Sequence, residues 1–131
     1  MVNIKIIIAG SRGFTDYTKL KAAVFDIVEN IKRDGDSPVD ITIVSGGARG
    51  ADRLGERYGH EYGYKVVQFI PDWDTLGKKA GYLRNVSMAE YASRDCDKGV
   101  LIAFWDGDSA GTGHMINIAK RNGLEVHVVE V

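Results

Sequence analysis

The sequence predicts an α/β fold in which a doubly wound, three-layer arrangement places helices on both faces of about five mainly parallel strands. Two observations predict it. Five short apolar segments alternate with longer segments of helical period, and four of the five apolar segments show no polar alternation. Such strands are buried on both faces, and right-handed crossovers connect them. We therefore expect one domain over residues 1–131, with strand order 3-2-1-4-5.

The five apolar segments are the predicted strands. Each is four to six residues long, which is the usual length of a strand. Because ligands of such sheets bind beyond the carboxyl ends of the strands, the residues that follow each segment are the first place to look for chemistry. The predicted strands are Ile4–Ala9, Ile41–Val44, Lys65–Ile70, Val100–Trp105 and Val126–Val129.

The first two helices are predicted from apolar stripes at spacings of three and four. Thr15 or Asp16 can cap the start of the first helix. The second helix is expected to start near Ala48 or Arg49 and to stop at Gly63. The stripe of the first comprises Leu20, Ala23, Val24, Ile27, Val28 and Ile31, and that of the second Ala51, Leu54, Tyr58 and Tyr62.

Two further helices follow the third and fourth strands. Gly77 and Gly81 loosen the first turns of the third helix. The fourth helix is expected to begin near Thr112 and to end at Gly123, which suits a left-handed cap. The stripe of the third helix comprises Leu76, Ala80, Leu83, Ser87 and Tyr91.

Composition and charge limit the partners. The chain has 131 residues, of which 44% are hydrophobic, and its net charge is −1 with interspersed signs. Nucleic-acid binding normally needs clustered Lys and Arg, so a nucleic acid is not expected, whereas a small anionic ligand remains open. The single cysteine, Cys96, excludes an intrachain disulfide and has no neighbours at metal-ligand spacing, so we expect no metal and no cofactor.

The amino-terminal segment bears on location. Its apolar run, Ile6–Ala9, is far shorter than a signal or transmembrane segment requires. We therefore expect no membrane association. The expected location is the cytoplasm, in a bacterium or in a phage that infects one.

The loop after the first strand, residues 9–14, carries AGSRGF. Gly10 and Gly13 allow close approach of the backbone, Ser11 offers a hydroxyl, and Arg12 offers a planar fork suited to phosphate or carboxylate. An ordinary strand-to-helix turn with a surface arginine accounts for the same residues equally well.

The loop after the second strand carries VSGGARGAD. Ser45, Gly46 and Gly47 leave the sheet, and the free N–H groups of the next helix then form an anion site. The spacing matches neither the G-x-G-x-x-G fingerprint nor the P-loop. Asp52 fits two roles equally, capping of the helix start and acceptance of hydrogen bonds from a ribose or a base.

The remaining loops extend this pattern. Trp73 is either a surface on which a ligand stacks or a lid over the core, and the lid is favoured. Spacing alone predicts that Arg84 and Asn85 are solvated surface residues. After the fourth strand, a second glycine-rich helix start contains Ser109 and Thr112. Two such starts in a small domain suggest a ligand with more than one polar end, such as a phosphorylated nucleoside.

Five segments in register carry a family resemblance: IIIAGSRGF, VSGGARGAD, PDW, AGYLRNVSM and FWDGDSAGTGHMI. Over essentially the whole chain they resemble the YspA-type (cpYpsA-related) branch of the SLOG superfamily. That superfamily is Rossmann-like and is associated with nucleotides and nucleotide-derived molecules. It includes the LOG-type phosphoribohydrolases and the DNA-processing protein A group, whose GSR and SG-ARG-D elements resemble Gly10–Arg12 and Ser45–Asp52.

The resemblance implies a ligand pocket. It also implies that Arg84 belongs to this pocket, against the prediction from spacing alone that Arg84 is a solvated surface residue. Related folds often self-associate through helix faces, which leaves a homo-oligomer open. The implied ligand-binding residues are Gly10, Ser11, Arg12, Ser45, Gly46, Gly47, Arg49, Asp52, Arg84, Asn85, Gly111 and Thr112.

One departure from the family pattern concerns catalysis. The LOG-type enzymes carry GGxGTxxE after the fourth strand, and its glutamate takes part in cleaving the N-glycosidic bond. This chain keeps Gly111 and Thr112 but has Met115 at the position of that glutamate. A thioether cannot act as a general acid. The remaining catalytic candidates are Arg84, Asp106 and Asp108. Asp106, Asp108 or Asp52 could substitute for the glutamate, but only with a different geometry.

The sequence thus leaves three functions in order of preference. The first is binding of a nucleoside phosphate or ADP-ribose-like ligand by a sensor or sequestering protein. The second is a nucleoside 5′-monophosphate phosphoribohydrolase or related N-glycosidase, whose activity the loss of the glutamate puts in doubt. The third is single-stranded DNA binding, against which the near-neutral charge argues.

Overall fold

A computed structural model describes residues 1–35 and 37–131, in which five strands alternate with helices. The strands are β1 (Val2–Gly10), β2 (Val39–Ser45), β3 (Lys65–Gln68), β4 (Lys98–Trp105) and β5 (Glu125–Glu130). The helices are α1 (Tyr17–Arg33), α2 (Ala51–Glu61), α3 (Trp73–Leu76), α4 (Ala80–Ser93) and α5 (Ala110–Arg121), with a 3-10 turn over Gly77–Lys79. No helix of the described residues has the length and apolar content needed to cross a bilayer.

The five strands form one parallel sheet in the order β3-β2-β1-β4-β5, which confirms the predicted fold class and strand order. β1 is central, and its Ile7 pairs with Val44 of β2 on one side and with Leu101 of β4 on the other. The chain changes direction across the sheet between β1 and β4. Ligands of doubly wound sheets bind at such a switch point, beyond the carboxyl ends of the strands.

Two separate cores cover the faces of the sheet. Alternate residues of a strand point to opposite faces, so Ile6 and Ile8 pack with α1 and α2, whereas Ile7 and Ala9 pack with α4 and α5. β1 is therefore buried on both sides from Ile6 to Ala9. This double burial explains why that part of its sequence shows no polar alternation.

Two glycines bring α2 directly onto the sheet. A Cβ at Gly55 would lie 2.7 Å from Cβ of Ile8, and a Cβ at Gly59 would lie 2.7 Å from Cγ2 of Val66. Real side chains do not approach so closely, so both positions require glycine for α2 to keep this distance. The close packing fixes where the amino terminus of α2 lies relative to the end of β1.

The start of α2 differs from the sequence prediction. The helix begins at Ala51 and not at residue 48 or 49. Gly50 precedes it with a φ of 81°, in the left-handed region, and a Cβ there would lie 2.5 Å from the carbonyl oxygen of Ser11. The backbone therefore turns at Gly50, and Ala48 and Arg49 remain in the loop.

The start of α5 also differs, since the helix begins at Ala110 and not near Thr112. The side chain of Asp106 turns the chain earlier, because its Oδ1 accepts the backbone N–H groups of Asp108 and Ser109 at 2.9 and 2.8 Å. This local turn was not visible in the apolar spacing.

The third predicted helix is divided, and its predicted stripe is right at Ala80, which is buried, but wrong at Leu83 and Ser87. The chain forms α3, the 3-10 turn and then α4, and Gly77 between them has a φ of 61°. Leu83 of the predicted stripe is 45% exposed, and Ser87 is exposed. The buried face of α4 instead consists of three alanines together with Asn85 and Met88: Ala80, Asn85, Met88, Ala89 and Ala92.

Replacement of Gly55 by alanine tests the close packing of α2. We expect Gly55→Ala to lower the free energy of unfolding by about 1–2 kcal/mol, because overpacking against Ile8 outweighs the gain in helix propensity. Gly111→Ala in α5 is the matched control, since a Cβ there meets nothing within 4 Å. Urea unfolding measures both. A Gly55→Ala protein as stable as the control would contradict the packing.

Candidate functional site

A cleft of about 480 Å³ opens at the switch point, beyond the carboxyl ends of β1 and β4. Its walls come from the loop after β1, the start of α2, the α3–α4 segment and the start of α5. The structure thus brings together loops that are distant in sequence. Eight of the twelve predicted ligand-binding residues line the cleft: Gly10, Ser11, Arg12, Asp52, Arg84, Asn85, Gly111 and Thr112.

A groove of about 620 Å³ adjoins this cleft. Three further predicted residues, Gly46, Gly47 and Arg49, line the groove. Arg12, Trp73 and Arg84 line both spaces, so cleft and groove share part of their walls.

The last predicted residue, Ser45, lies in the wall of neither space. Its side chain is fully buried beneath the loop. Its Oγ accepts the N–H of Gly47 at 3.1 Å and donates to Oε2 of Glu56 at 2.6 Å. Ser45 therefore shapes the loop from below.

The loop after β1 is held by close contacts of its backbone. A Cβ at Gly10 would collide with the carbonyl oxygen of Phe104 and would lie 2.9 Å from Cβ of Ala51. The N–H of Ser11 donates to the carbonyl of Phe104 at 3.0 Å, and the N–H of Ala51 donates to the carbonyl of Ser11 at 3.3 Å. The end of β1 thus joins the end of β4 to the start of α2.

The hydroxyl of Ser11 is the one buried side-chain polar atom without a hydrogen-bond partner among the described residues. Ser11 is 8% exposed and lines the cleft. Its hydroxyl lies close enough to Asp106 to help lower the pKa of that carboxyl, but it does not reach hydrogen-bond geometry. Buried polar atoms usually have a hydrogen-bond partner, so a ligand that supplies one to this hydroxyl would gain binding free energy.

Arg84 fastens the loop after β2 to α4. Its Nη1 donates to the carbonyl oxygen of Gly46 at 2.5 Å, and a Cβ at Gly46 would collide with this guanidinium and with Oδ2 of Asp52. Arg84 is half-buried, which corrects the reading from spacing alone that made it plain surface. It belongs to the inner wall of the cleft.

Burial shifts the ionisation of both charged groups around Gly46. It raises the pKa of Asp52 to about 6, although the N–H of Ala48 at 3.2 Å and the charge of Arg84 oppose the rise. Burial also lowers the pKa of Arg84, against the attraction of Asp52, and the nearby charge of Arg12 adds to the lowering. The two groups are coupled through the loop that they hold.

Asn85 positions Arg84 and the start of α5. Its Oδ1 accepts from Nε of Arg84 at 3.0 Å, and its Nδ2 donates to the carbonyl of Gly111 at 3.2 Å. Nδ2 also lies 3.2 Å from Nδ1 of His114, whose ring meets Tyr82 edge-on at a centroid distance of 4.7 Å. Asn85 is 5% exposed, and its amide is occupied by these protein partners.

The start of α5 presents hydroxyl groups to the cleft. Oγ of Ser109 and Oγ1 of Thr112 lie 3.2 Å apart. The pKa of Asp106 is lowered chiefly by the backbone N–H groups of Ser109 and Asp108, so its carboxylate stays ionised beside these hydroxyls. Of the two aspartates in this loop, Asp106 lines the cleft, and the side chain of Asp108 does not.

Two methionines, Met88 and Met115, form an apolar floor. Both line the cleft and both are 1% exposed. The residue at the position of the LOG-type glutamate therefore faces the cleft, but it brings no carboxyl group.

Sequence reasoning placed Arg84 and Asn85 of the α3–α4 segment in the pocket but missed other residues of the same wall. Of the two roles considered for Trp73, the favoured one, a lid over the core, is wrong, since Trp73 is 46% exposed and lines both cleft and groove. Its ring packs over Gly81, where a Cβ would lie 3.3 Å from Cη2. Lys78 and Tyr82 also line the cleft. The signal was present, because an aromatic residue directly after a strand lies at the ligand edge of the sheet.

The described residues, 1–35 and 37–131, contain no group of three or more His, Cys, Asp or Glu side chains that could hold a metal ion. The polar side chains of the cleft instead include hydroxyls, guanidinium groups, the ammonium of Lys78, the amide of Asn85 and two carboxyls. This set suits an anionic organic ligand better than a cation.

Comparison with known proteins identifies relatives. The sequence profile of the YspA, cpYpsA-related SLOG family matches residues 4–75, which run from β1 into α3. The Gene 61 protein of Mycobacterium phage D29 is 34% identical over 127 residues, which cover 93% of this chain and 93% of the phage protein. No solved structure matches. The profile match confirms the family resemblance found in the sequence.

The raised pKa of Asp52 predicts a particular pH dependence. Its value of about 6 in the folded protein exceeds the ordinary 3.8, so between these values the folded state binds more protons than the unfolded chain. The contribution of Asp52 to the free energy of unfolding therefore falls as pH rises from 4 to 7. Relative to wild type, Asp52→Asn should gain on the order of 3 kcal/mol over that range.

Urea unfolding at pH 4, 5, 6 and 7 measures this change. Asp40→Asn, at an exposed position on β2, controls for the loss of one negative charge. A difference between wild type and Asp52→Asn that stays constant with pH would show that burial does not hold the Asp52 pKa near 6.

Proposed function

Because the chain belongs to the YspA, cpYpsA-related SLOG family, we propose that its cleft binds a small nucleotide-derived molecule, either a nucleoside phosphate or an ADP-ribose-like compound. In this proposal the protein is a sensor or a sequestering protein. The observation that carries it is that Ser11, whose buried hydroxyl has no protein partner, lines the same cleft as Arg12 and Arg84.

The size and chemistry of the cleft support a ligand of this class. Its volume of about 480 Å³ falls within the range of roughly 300–1,000 Å³ that is usual for small-molecule sites. The guanidinium groups of Arg12 and Arg84 suit phosphate oxygens, and the exposed ring of Trp73 suits a planar base. The hydroxyls of Ser109 and Thr112 add further hydrogen-bonding groups.

The floor of the cleft supports binding without cleavage. Met115 replaces the carboxyl group with which the LOG-type enzymes act on the glycosidic bond, and Met88 beside it is equally apolar. A positioned acid or base contributes on the order of a hundredfold or more to such a reaction. Without it, a bound nucleotide has less assistance in losing its base.

One observation favours a second candidate, the phosphoribohydrolase or N-glycosidase. Asp52 and Asp106 line the same cleft, and the pKa of Asp52 is raised to about 6 while that of Asp106 is lowered. Paired carboxyls whose pKa values are shifted in opposite directions are typical of enzymes that cleave glycosidic bonds. In that reaction Asp52 would donate a proton to the leaving base, and Asp106 would deprotonate the attacking water.

A stacking variant tests the binding proposal. Trp73→Ala should weaken binding of the nucleotide that wild type binds by about 5- to 150-fold, because base–aromatic stacking contributes about 1–3 kcal/mol. Phe25→Ala is the control, since Phe25 is a similarly exposed aromatic on α1, away from the cleft. Thermal shift followed by titration calorimetry, over nucleoside phosphates and ADP-ribose, measures the affinities. If no compound stabilises the wild type, the proposal fails.

Product analysis separates the two candidates. Under the binding proposal, wild type releases no free base from purine or pyrimidine nucleoside monophosphates during prolonged incubation. Liquid chromatography detects the base. Release that disappears in Asp52→Asn and in Asp106→Asn would instead establish the enzyme.

A further inference from the structure

The groove beside the cleft has its own chemical character. We call it the arginine groove, because Arg12, Arg49 and Arg84 line it together with bare backbone at Gly46 and Gly47. It shares Arg12 and Arg84 with the wall of the cleft, and its volume is about 620 Å³. The space is thus as large as the cleft that the proposed function uses.

Charge distinguishes the arginine groove from the cleft. The cleft is lined by the carboxyls of Asp52 and Asp106, whereas no Asp or Glu lines the arginine groove. Among the described residues, none of its three arginines forms an ion pair with a carboxylate. Arg84 has the charge of Asp52 nearby, whereas Arg12 and Arg49 have no carboxylate within ion-pair distance among the described residues.

Two of these arginines repel each other. The charge of Arg12 contributes to lowering the pKa of Arg84, which requires the two guanidinium groups to lie near each other. Arg84 cannot turn away, because its Nη1 and Nε are held by Gly46 and Asn85. An anion between Arg12 and Arg84 would relieve the repulsion and would accept from donors that are fixed in advance.

The backbone keeps the arginine groove open. A Cβ at Gly46 would collide with the guanidinium of Arg84, and a Cβ at Gly47, where φ is 72°, would lie 2.5 Å from Cδ1 of Ile70. Any larger residue at either position would displace one wall. The glycines therefore leave the floor of the arginine groove free of side chains.

We propose that the arginine groove is a second anion subsite, so that the complete site takes a nucleotide with at least two phosphoryl groups. The proposal rests on the proposed function and specifies its ligand. One phosphoryl group lies in the cleft near Ser11 and the second lies among Arg12, Arg49 and Arg84. A pyrophosphate and a pair of separated monophosphates share this chemistry.

Affinities for matched ligands test the second subsite. The series pairs the monophosphate and diphosphate of each common ribonucleoside, and adds adenosine 3′,5′-bisphosphate, ADP-ribose, inorganic phosphate and pyrophosphate. The second phosphoryl group should tighten binding to wild type at least tenfold, since hydrogen bonds between charged groups are the strong ones. The bisphosphate and ADP-ribose distinguish separated phosphates from a pyrophosphate.

Arg49→Ala should weaken the diphosphates about tenfold more than the monophosphates, because Arg49 lines the arginine groove and not the cleft. Arg33→Ala, at an exposed position in the last turn of α1, should bind every ligand as wild type does. If no nucleotide binds, the proposed function fails and this inference fails with it. If monophosphates bind and a second phosphoryl group adds nothing, or if Arg49→Ala weakens both classes equally, only the inference fails.

Discussion

The site depends on how closely three chain segments approach one another at Gly10. There is no room for a Cβ at this residue, because the carbonyl of Phe104 and the side chain of Ala51 occupy the space. The contact holds the end of β1 against the end of β4 and the start of α2. Without it, the loop that carries Ser11 and Arg12 would not face the loop that carries Asp106. The close contact that Gly10 permits thus holds the walls of the cleft together, as apolar packing holds the sheet against its helices.

The second constraint is electrostatic, and it connects the cleft to the arginine groove. Arg84 is half-buried and its charge is balanced chiefly by Asp52, which burial itself drives towards the neutral form. Each group therefore stabilises the charged form of the other, and both contact the loop at Gly46. A phosphate that approaches Arg84 would compete with Asp52 for the same charge. We expect ligand affinity and the protonation of Asp52 to be linked in consequence.

Most of the fold could be predicted from the sequence, because the central strands β1, β2 and β4 contain apolar segments whose burial leaves few alternatives. The third helix could not, since Leu83 looked like a core residue, whereas α4 buries Ala80, Asn85, Met88, Ala89 and Ala92 and leaves Leu83 exposed. Similarly, the twelve implied site residues fell mostly in one cleft because their loops follow strands that end at one edge. The exposure of Trp73 depends on the division of the helix at Gly77, which apolar spacing does not reveal.

Whether this cleft could cleave a bound nucleotide depends on how readily Asp52 could act as an acid. With a pKa of about 6, most Asp52 carboxyls are ionised at neutral pH, so only a minority could donate a proton. Asp52 carries no charge when it is protonated and ready to donate, so Arg84 then lacks its main counter-charge. A bound phosphate could supply that charge, and a ligand with a second phosphoryl group would supply it most effectively. The same anion that tightens binding would therefore raise the population of the protonated acid, yet the floor at Met115 would still offer the departing base no polar partner. Phosphate binding would therefore precede any cleavage of a nucleotide in this cleft.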